Sequence, residues 1–286
     1  MKNYLKVFLM MMVAGLISCG ETSKEKDKKE TKLEDDKIEN TGISFNIPSP
    51  SEQFEIISYL DGIKDLSLIN DPKRRYEGSL KQSLNFGAYI ADVAYLTCFD
   101  ETSKYLQYFN QLEKVGKDLG ISEVFTSEMT SLIKDYSNSP DSLFKLSNDT
   151  YTKSFQKLID IEKGAELSLM LAGGWLETMH LIIGTSKGFG LSPKIDKILV
   201  DQKIVAENLI DFMIDYQDDK DVLNYMTKMG KILDLYQELD CVVENTNVNE
   251  KDGKIMISGG ETCTMNKKTY NKLKELIKTY RTEVVE

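Results

Sequence analysis

A continuous apolar run in the middle of the chain restricts the fold more than any other feature. Residues 165–183 read AELSLMLAGGWLETMHLII and are apolar on nearly every side of a helix. A helix of this kind is either buried inside a larger protein or crosses a membrane. Glu177 and His180 lie inside the run, and ionisable side chains within a membrane are costly. We therefore expect this run to be the buried central helix of an all-α domain.

A pair of glycines in the central run predicts close packing against a second helix. Gly173 and Gly174 each cost a helix interior about 1 kcal/mol relative to alanine, so the pair needs a structural reason. Residues 84–99 form a second, almost wholly apolar stretch. Small side chains share one helical face of that stretch, at Gly87, Ala91 and Ala94. We predict that this face packs against the two glycines.

Amphipathic repeats with helical spacing fill most of the remaining chain. Glycine and proline residues interrupt them and mark the predicted helix ends and loops, at Pro72, Gly120, Pro140 and Pro193. The pattern predicts an all-α domain over residues 43–286, with eight or nine helices packed as antiparallel hairpins. The helix with the small face is expected to begin near Tyr76.

One segment near the C-terminus departs from the helical pattern. Residues 242–258 are rich in Val, Ile, Asn and Thr, and Asp252-Gly253 in their middle is a strong signal for a β-hairpin. Cys241 and Cys263 lie at equal distances on either side of position 252, so a hairpin would bring them face to face. In an oxidising compartment they would form a disulfide worth about 3 kcal/mol. The alternative is two unpaired thiols.

The N-terminus has the features of an export signal. Residues 1–18 carry Lys2 and Lys6 before an apolar run that is too short to cross a membrane as a helix. The run ends Leu16-Ile17-Ser18-Cys19, which resembles the lipobox of bacterial lipoproteins. The resemblance implies cleavage before Cys19 and a diacylglycerol on its sulfur, which would anchor the protein to a membrane. The alternative is an ordinary secretory signal followed by a chance cysteine.

A charged tether is predicted between the lipidated cysteine and the domain. Residues 19–42 are dominated by Lys, Asp and Glu and hold too little apolar surface to fold. Gly20 follows Cys19, where the enterobacterial sorting rule places Asp in lipoproteins of the inner membrane, so the resemblance implies the outer membrane. Loss of Lys2 and Lys6 with the signal changes the net charge from −10 to −12. This charge argues against nucleic-acid binding, which needs a basic face.

The sequence holds no complete constellation for catalysis or metal binding. Glu177 and His180 form a Glu-x-x-His motif, but di-iron bundles need two such motifs and the chain has one His. Gly184-Thr185-Ser186-Lys187-Gly188 matches Gly-x-Ser-x-Gly, yet it follows a helix instead of the strand that a nucleophile elbow requires. We predict no catalytic residue, no metal site and no cofactor.

A group of polar and aromatic side chains on the two apolar helices has two interpretations. Its members are Asp92, Tyr95, Trp175, Glu177 and His180. Buried acids need partners, so the group could form a hydrogen-bonding network that fixes the packing of the helices. We favour this structural interpretation; the alternative is a pocket for a small ligand, because such groups also gather at functional sites.

Three short segments resemble an uncharacterised family of helical lipoproteins from Bacteroidetes-type bacteria. The matching segments are Ala91-Asp92, Leu119-Gly120-Ile121 and Ala172-Gly173-Gly174-Trp175. Tyr89-Ile90 departs from the family pattern, which has Gly after Tyr. The resemblance covers residues 47–239 and implies a helical fold and a lipoprotein, but no activity.

These observations leave two classes of function open. The first is a lipid-anchored envelope protein without catalytic activity, which binds a protein partner or acts as a scaffold. The second is a small-ligand-binding protein or enzyme with a pocket around Trp175, Glu177 and His180. A filled core at that place would favour the first class, and a convergent cavity would favour the second.

Overall fold

The computed structural model describes residues 56, 64–99, 101–136, 139–186, 188–251 and 254–286. The predicted signal peptide, Cys19 and the charged tether lie outside these residues.

Eight α-helices and one antiparallel pair of strands make up the described part of the chain, as predicted. The helices are α1 (Ser79–Cys98), α2 (Thr102–Asp118), α3 (Ser127–Asp135), α4 (Pro140–Asp160), α5 (Gly164–Thr185), α6 (Pro193–Ile214), α7 (Lys220–Tyr236) and α8 (Lys267–Val285). A 3₁₀ turn (Ser122–Val124) precedes α3, and strands β1 (Asp240–Lys251) and β2 (Lys254–Thr264) separate α7 from α8.

Local sequence signals explain where several helices begin. Pro140 and Pro193 occupy the first turns of α4 and α6, where the missing N–H of proline costs nothing. Ser192, Asp219 and Asn266 accept hydrogen bonds from backbone N–H groups in the first turns of α6, α7 and α8. These caps satisfy donors that no helical carbonyl can reach.

The predicted contact between the small-faced helix and the two glycines is confirmed. A Cβ atom on Gly87 of α1 would lie 1.9 Å from the carbonyl oxygen of Met170 in α5. A Cβ atom on Gly173 would lie 2.0 Å from the carbonyl oxygen of Leu84. The two backbones therefore approach so closely that only glycine fits at these positions.

Helix α5 is the centre of the core. Among the described residues, it is the one helix that is long and apolar enough to cross a membrane. However, 89% of its most apolar 18-residue window is buried inside the protein. It packs against α1, α4, α6, α7 and α8. Its apolar surface is thus covered by other helices, as expected for the core helix of a globular domain.

Helix α1 begins three residues later than the sequence pattern predicts. Gly78 has a φ of 83°, in the left-handed region, and the helix starts after it at Ser79. Tyr76, the expected first residue, is buried outside the helix, and its hydroxyl lies 3.4 Å from that of Tyr89. Tyr76 instead belongs to the segment before the helix.

The predicted hairpin is present. Its register pairs Lys251 with Lys254 at the turn and Cys241 with Cys263 near the base, with an irregularity between Glu244 and Asn247. A disulfide joins the two cysteines. The cross-link closes the hairpin where the chain leaves α7 and enters α8.

Candidate functional site

A strap of irregular backbone, residues 64–78, packs onto the helices before α1 begins. Side chains from four helices hydrogen bond to the strap backbone: Tyr89, Asp92 and Tyr95 from α1, Tyr108 and Gln111 from α2, His180 from α5, and Arg281 from α8. A backbone without regular secondary structure needs such partners when it is buried. The strap therefore explains why so many polar groups lie inside an otherwise apolar core.

Tyrosine hydroxyls bind two carbonyl groups of the strap. Tyr89 Oη donates to Asp71 O at 2.7 Å, and Tyr108 Oη donates to Asn70 O at 2.6 Å. Burial raises the pKa of Tyr89 and of Tyr108 well above the ordinary value. Both hydroxyls accordingly stay protonated and act as donors.

A bidentate ion pair lies beneath the strap. Arg281 Nε and Nη2 lie 3.0 and 3.1 Å from the two carboxylate oxygens of Glu177, whose side chain is 1% exposed. Arg281 Nη2 also lies 2.9 Å from Leu68 O and 2.7 Å from Asn70 Oδ1. The planar guanidinium suits this arrangement because its donors point in fixed directions. One side chain thus connects α5, α8 and the strap.

Asp92 is fully buried beside the ion pair. Its Oδ2 accepts from the backbone N–H of Asn70 at 3.1 Å. Burial, helped by the negative charge of Glu177, raises the pKa of Asp92 well above its usual value, although the Asn70 N–H and Arg281 oppose the shift. Asp92 Oδ1 and Asn70 Nδ2 have no hydrogen bond of good geometry among the described residues, but the Asn70 side chain lies close enough to Asp92 to oppose the rise of its pKa. The Asn70 side chain therefore already interacts with the Asp92 carboxyl.

His180 also contacts the strap. Its Nε2 lies 3.2 Å from Leu68 O, the same carbonyl that Arg281 approaches. Burial lowers the pKa of His180 from 6.5, and the positive charge of Arg281 acts in the same direction, while the negative charge of Glu177 and the carbonyl of Leu68 oppose the shift. The imidazole is thus neutral at pH 7, and its contact with a carbonyl requires the proton on Nε2.

Trp175 points away from the strap and into the core between α5 and α6. The side chain is 2% exposed, and its Nε1 donates to Gln202 Oε1 at 3.0 Å. A buried indole needs such a partner for its N–H. Gln202 is itself buried. Trp175 consequently belongs to the core packing and not to the polar group.

The five residues predicted to form a pocket therefore separate into three places. Asp92, Glu177 and His180 come together under the strap and engage it or Arg281. Tyr95 lies at one end of the strap, where its hydroxyl accepts from Asp65 N at 2.9 Å. Trp175 bonds elsewhere. The hydrogen-bonding interpretation fits this arrangement better than the ligand pocket.

Sequence reasoning did not identify Arg281 as a member of this group. The chain has three arginines: Arg74 and Arg75 are adjacent, and Arg281 stands alone near the C-terminus. It lies in a helix whose other basic residues are lysines. A single arginine among lysines was a usable signal, since only the guanidinium binds a carboxylate in a bidentate manner.

The geometry limits what the polar group can do chemically. Asp92 and Glu177 are almost completely buried, and the strap takes up Nη2 of Arg281 and Nε2 of His180. A substrate would have to displace Arg281 or the strap to reach the two carboxylates. A cleft of about 520 Å³ lies instead on the surface of α7 and α8, lined by Leu235, Asn271, Lys272, Glu275 and Leu276.

The described residues include one group with the spacing of metal ligands, formed by Cys241, Glu261 and Cys263. Its two sulfur atoms are bonded to each other, so they offer no thiolate to a metal. The group is therefore a poor fit to a zinc-type site.

Comparison with protein-family models, with curated proteins and with solved structures gives no match.

Proposed function

We propose that the chain is a lipid-anchored protein of the bacterial outer membrane whose helical domain binds a protein partner or acts as a scaffold without catalysis. Support for the anchor comes from the export signal, the lipobox-like Leu16-Ile17-Ser18-Cys19 and the charged segment after it. The short matches to helical lipoproteins of Bacteroidetes-type bacteria agree with this proposal.

The use of the polar residues in the core carries the non-catalytic part of the proposal. Glu177, His180 and Asp92 are the side chains on α1 and α5 best suited to chemistry. His180 and Asp92 bind the strap, and Glu177 binds Arg281 of α8. Groups that satisfy buried backbone and each other are expected to stabilise the fold. The outer surface of the helices is then the part of the domain available to other molecules.

A ligand-binding function is the second candidate, and one observation favours it. Asp92 Oδ1 and Asn70 Nδ2 are buried without a hydrogen bond of good geometry among the described residues, although the two side chains interact with each other. A small polar molecule that accepts and donates hydrogen bonds could satisfy both, provided that the strap opened to admit it.

Lipidation is tested by metabolic labelling with a palmitate analogue. The wild-type chain should incorporate the label and fractionate with the outer membrane, whereas Cys19→Ala should do neither. Equal labelling of the two proteins would contradict the anchor.

The role of the polar group is tested with His180→Gln, whose amide N–H keeps a donor for Leu68 O. If the group only holds the strap, crosslinking in cells should recover the same partners for this variant as for the wild type. Trp175 is the single tryptophan of the chain and reports on the neighbouring core. A fluorescence change on addition of small envelope metabolites, absent in a normally folded His180→Gln, would support the ligand-binding alternative instead.

A further inference from the structure

Helix α8 carries a concentration of positive charge that is unusual for this chain. It contains five lysines and one arginine but two acids, whereas the whole chain has a net charge of −10. Arg281 points inward to Glu177. The lysines, unlike Arg281, lie at or near the outer surface of the helix.

Four of these lysines are exposed, at Lys267, Lys268, Lys274 and Lys278. Positions 267, 271, 274 and 278 follow helical spacing, so three lysines and Asn271 form one stripe along the helix. We call this set of four positions the basic stripe. Within the described residues, none of its three lysines forms an ion pair. Their charge is therefore available to an external anion.

The acids nearest to the stripe neutralise it only in part. Lys272 already pairs with Glu238 at 2.8 Å, and Lys228 of α7 pairs with Glu283. Glu275 is exposed on the same helix and offsets one charge. The outer face of α8 thus keeps a net positive charge in a chain that is otherwise acidic.

We infer that the basic stripe of α8 docks on an anionic membrane surface and orients the domain on the bilayer to which Cys19 anchors it. This inference rests on the lipid anchor of the proposed function. A chain with net charge −12 after signal removal is repelled by anionic lipids in most orientations, so a basic face selects one orientation.

The position of the strap favours a membrane over an acidic protein partner. The strap begins 45 positions after Cys19, and its Leu68 and Asn70 are bonded directly to Arg281 of α8. The strap, which comes before α1 in the chain, thus contacts the helix that carries the stripe as well as α1, α2 and α5. The exposed residues of the stripe are Lys and Asn, without a protruding apolar side chain, which suits contact with lipid headgroups.

The test uses the full-length lipoprotein reconstituted into vesicles of neutral phosphatidylcholine or of phosphatidylcholine with phosphatidylglycerol. Amine-reactive labelling of Lys267, Lys274 and Lys278 is measured by mass spectrometry. Each lysine near an anionic surface strengthens contact roughly fivefold at low salt, so three lysines together should strengthen it roughly a hundredfold, and the stripe should label at least about tenfold more slowly on anionic vesicles. High salt should remove this protection.

Matched variants decide whether the stripe itself causes the protection. Lys268, which both variants keep, is the reporter. In the triple variant Lys267→Gln/Lys274→Gln/Lys278→Gln, the protection of Lys268 should disappear. The control triple variant Lys114→Gln/Lys117→Gln/Lys153→Gln on α2 and α4 makes the same change in net charge, and in it Lys268 should stay protected.

The outcomes separate the anchor from the orientation. Flotation with both kinds of vesicle, together with protection on anionic vesicles alone, supports both ideas. Flotation without protection overturns the orientation and leaves the anchor intact. Failure to float with neutral vesicles overturns the anchor and this inference with it. Protection in intact cells but not on anionic vesicles overturns the membrane assignment and indicates an acidic protein partner.

Discussion

Substitution of Gly87 by alanine tests the close contact between α1 and α5. The added Cβ atom would lie 1.9 Å from Met170 O, whereas real Cβ atoms essentially never come within 3.0 Å of such an atom. The two helices must therefore separate by about 1 Å, because a backbone carbonyl cannot rotate away as a side chain can. Overpacking of this kind costs about 1–3 kcal/mol, and we expect the upper end of that range.

The same substitution also has a stabilising effect, because alanine favours a helix more than glycine does. A second helical glycine without a close neighbour measures this effect alone and serves as the control. Alanine in a helix interior is about 1 kcal/mol more favourable than glycine. The net effect of Gly87→Ala should therefore be a loss of about 2 kcal/mol in the free energy of unfolding. Gly230 lies in α7, and a Cβ atom there would meet nothing within 4 Å. Gly230→Ala should accordingly stabilise the protein by up to about 1 kcal/mol.

Urea unfolding followed by circular dichroism measures both variants. The expected result is a lower midpoint for Gly87→Ala and a higher one for Gly230→Ala, with similar slopes. A Gly87→Ala variant that gains stability as Gly230→Ala does would refute the close backbone contact on which the architecture depends.

Three further predictions concern the core. Arg281→Met should cost about 3–5 kcal/mol because it leaves Glu177 buried without its partner, and the double variant Glu177→Leu/Arg281→Met should be more stable than that single variant in urea unfolding. Trp175→Ala should cost about 3–5 kcal/mol through cavity formation; full stability with loss of a partner or ligand would instead make Trp175 a binding residue. Because the folded state raises the pKa of Asp92, it binds a proton more tightly than the unfolded chain, so this group reduces stability as the pH rises above 3.8. Asp92→Asn should flatten that pH dependence in unfolding measured between pH 4 and pH 8, and an unchanged slope would contradict the shift.

The strap gives the polar residues of α1 and α5 a role that does not depend on an external ligand. Each helix contributes groups that bind strap backbone, and Arg281 joins the strap to the last helix of the chain. Opening of the strap would break these contacts together. A ligand that reached Asp92 would thus have to compensate for several hydrogen bonds, which is a demanding requirement.

Several features of the fold could be predicted from the sequence because local signals encode them. The repeat of apolar residues fixes a helix and its buried face, since side chains three and four positions apart share a face. Asp252-Gly253 between two β-rich stretches predicts the hairpin, and the equal spacing of Cys241 and Cys263 predicts their pairing in its register. Paired small residues predict close helix contact because few other side chains permit it.

The partners of the polar side chains were decided by the tertiary structure alone. Glu177 and Arg281 are 104 positions apart, and Leu68 is 213 positions from the arginine that binds its carbonyl. No periodic pattern links such distant residues, so the sequence identified Asp92, Glu177 and His180 as buried polar groups but could not say what they bind. The packing of α8 against α5 brings Arg281 to Glu177, and the irregular strap then fills the remaining hydrogen-bonding positions. A buried acid in a helix has the same sequence signal whether it holds a ligand or a loop, because only the groups around it in space distinguish the two.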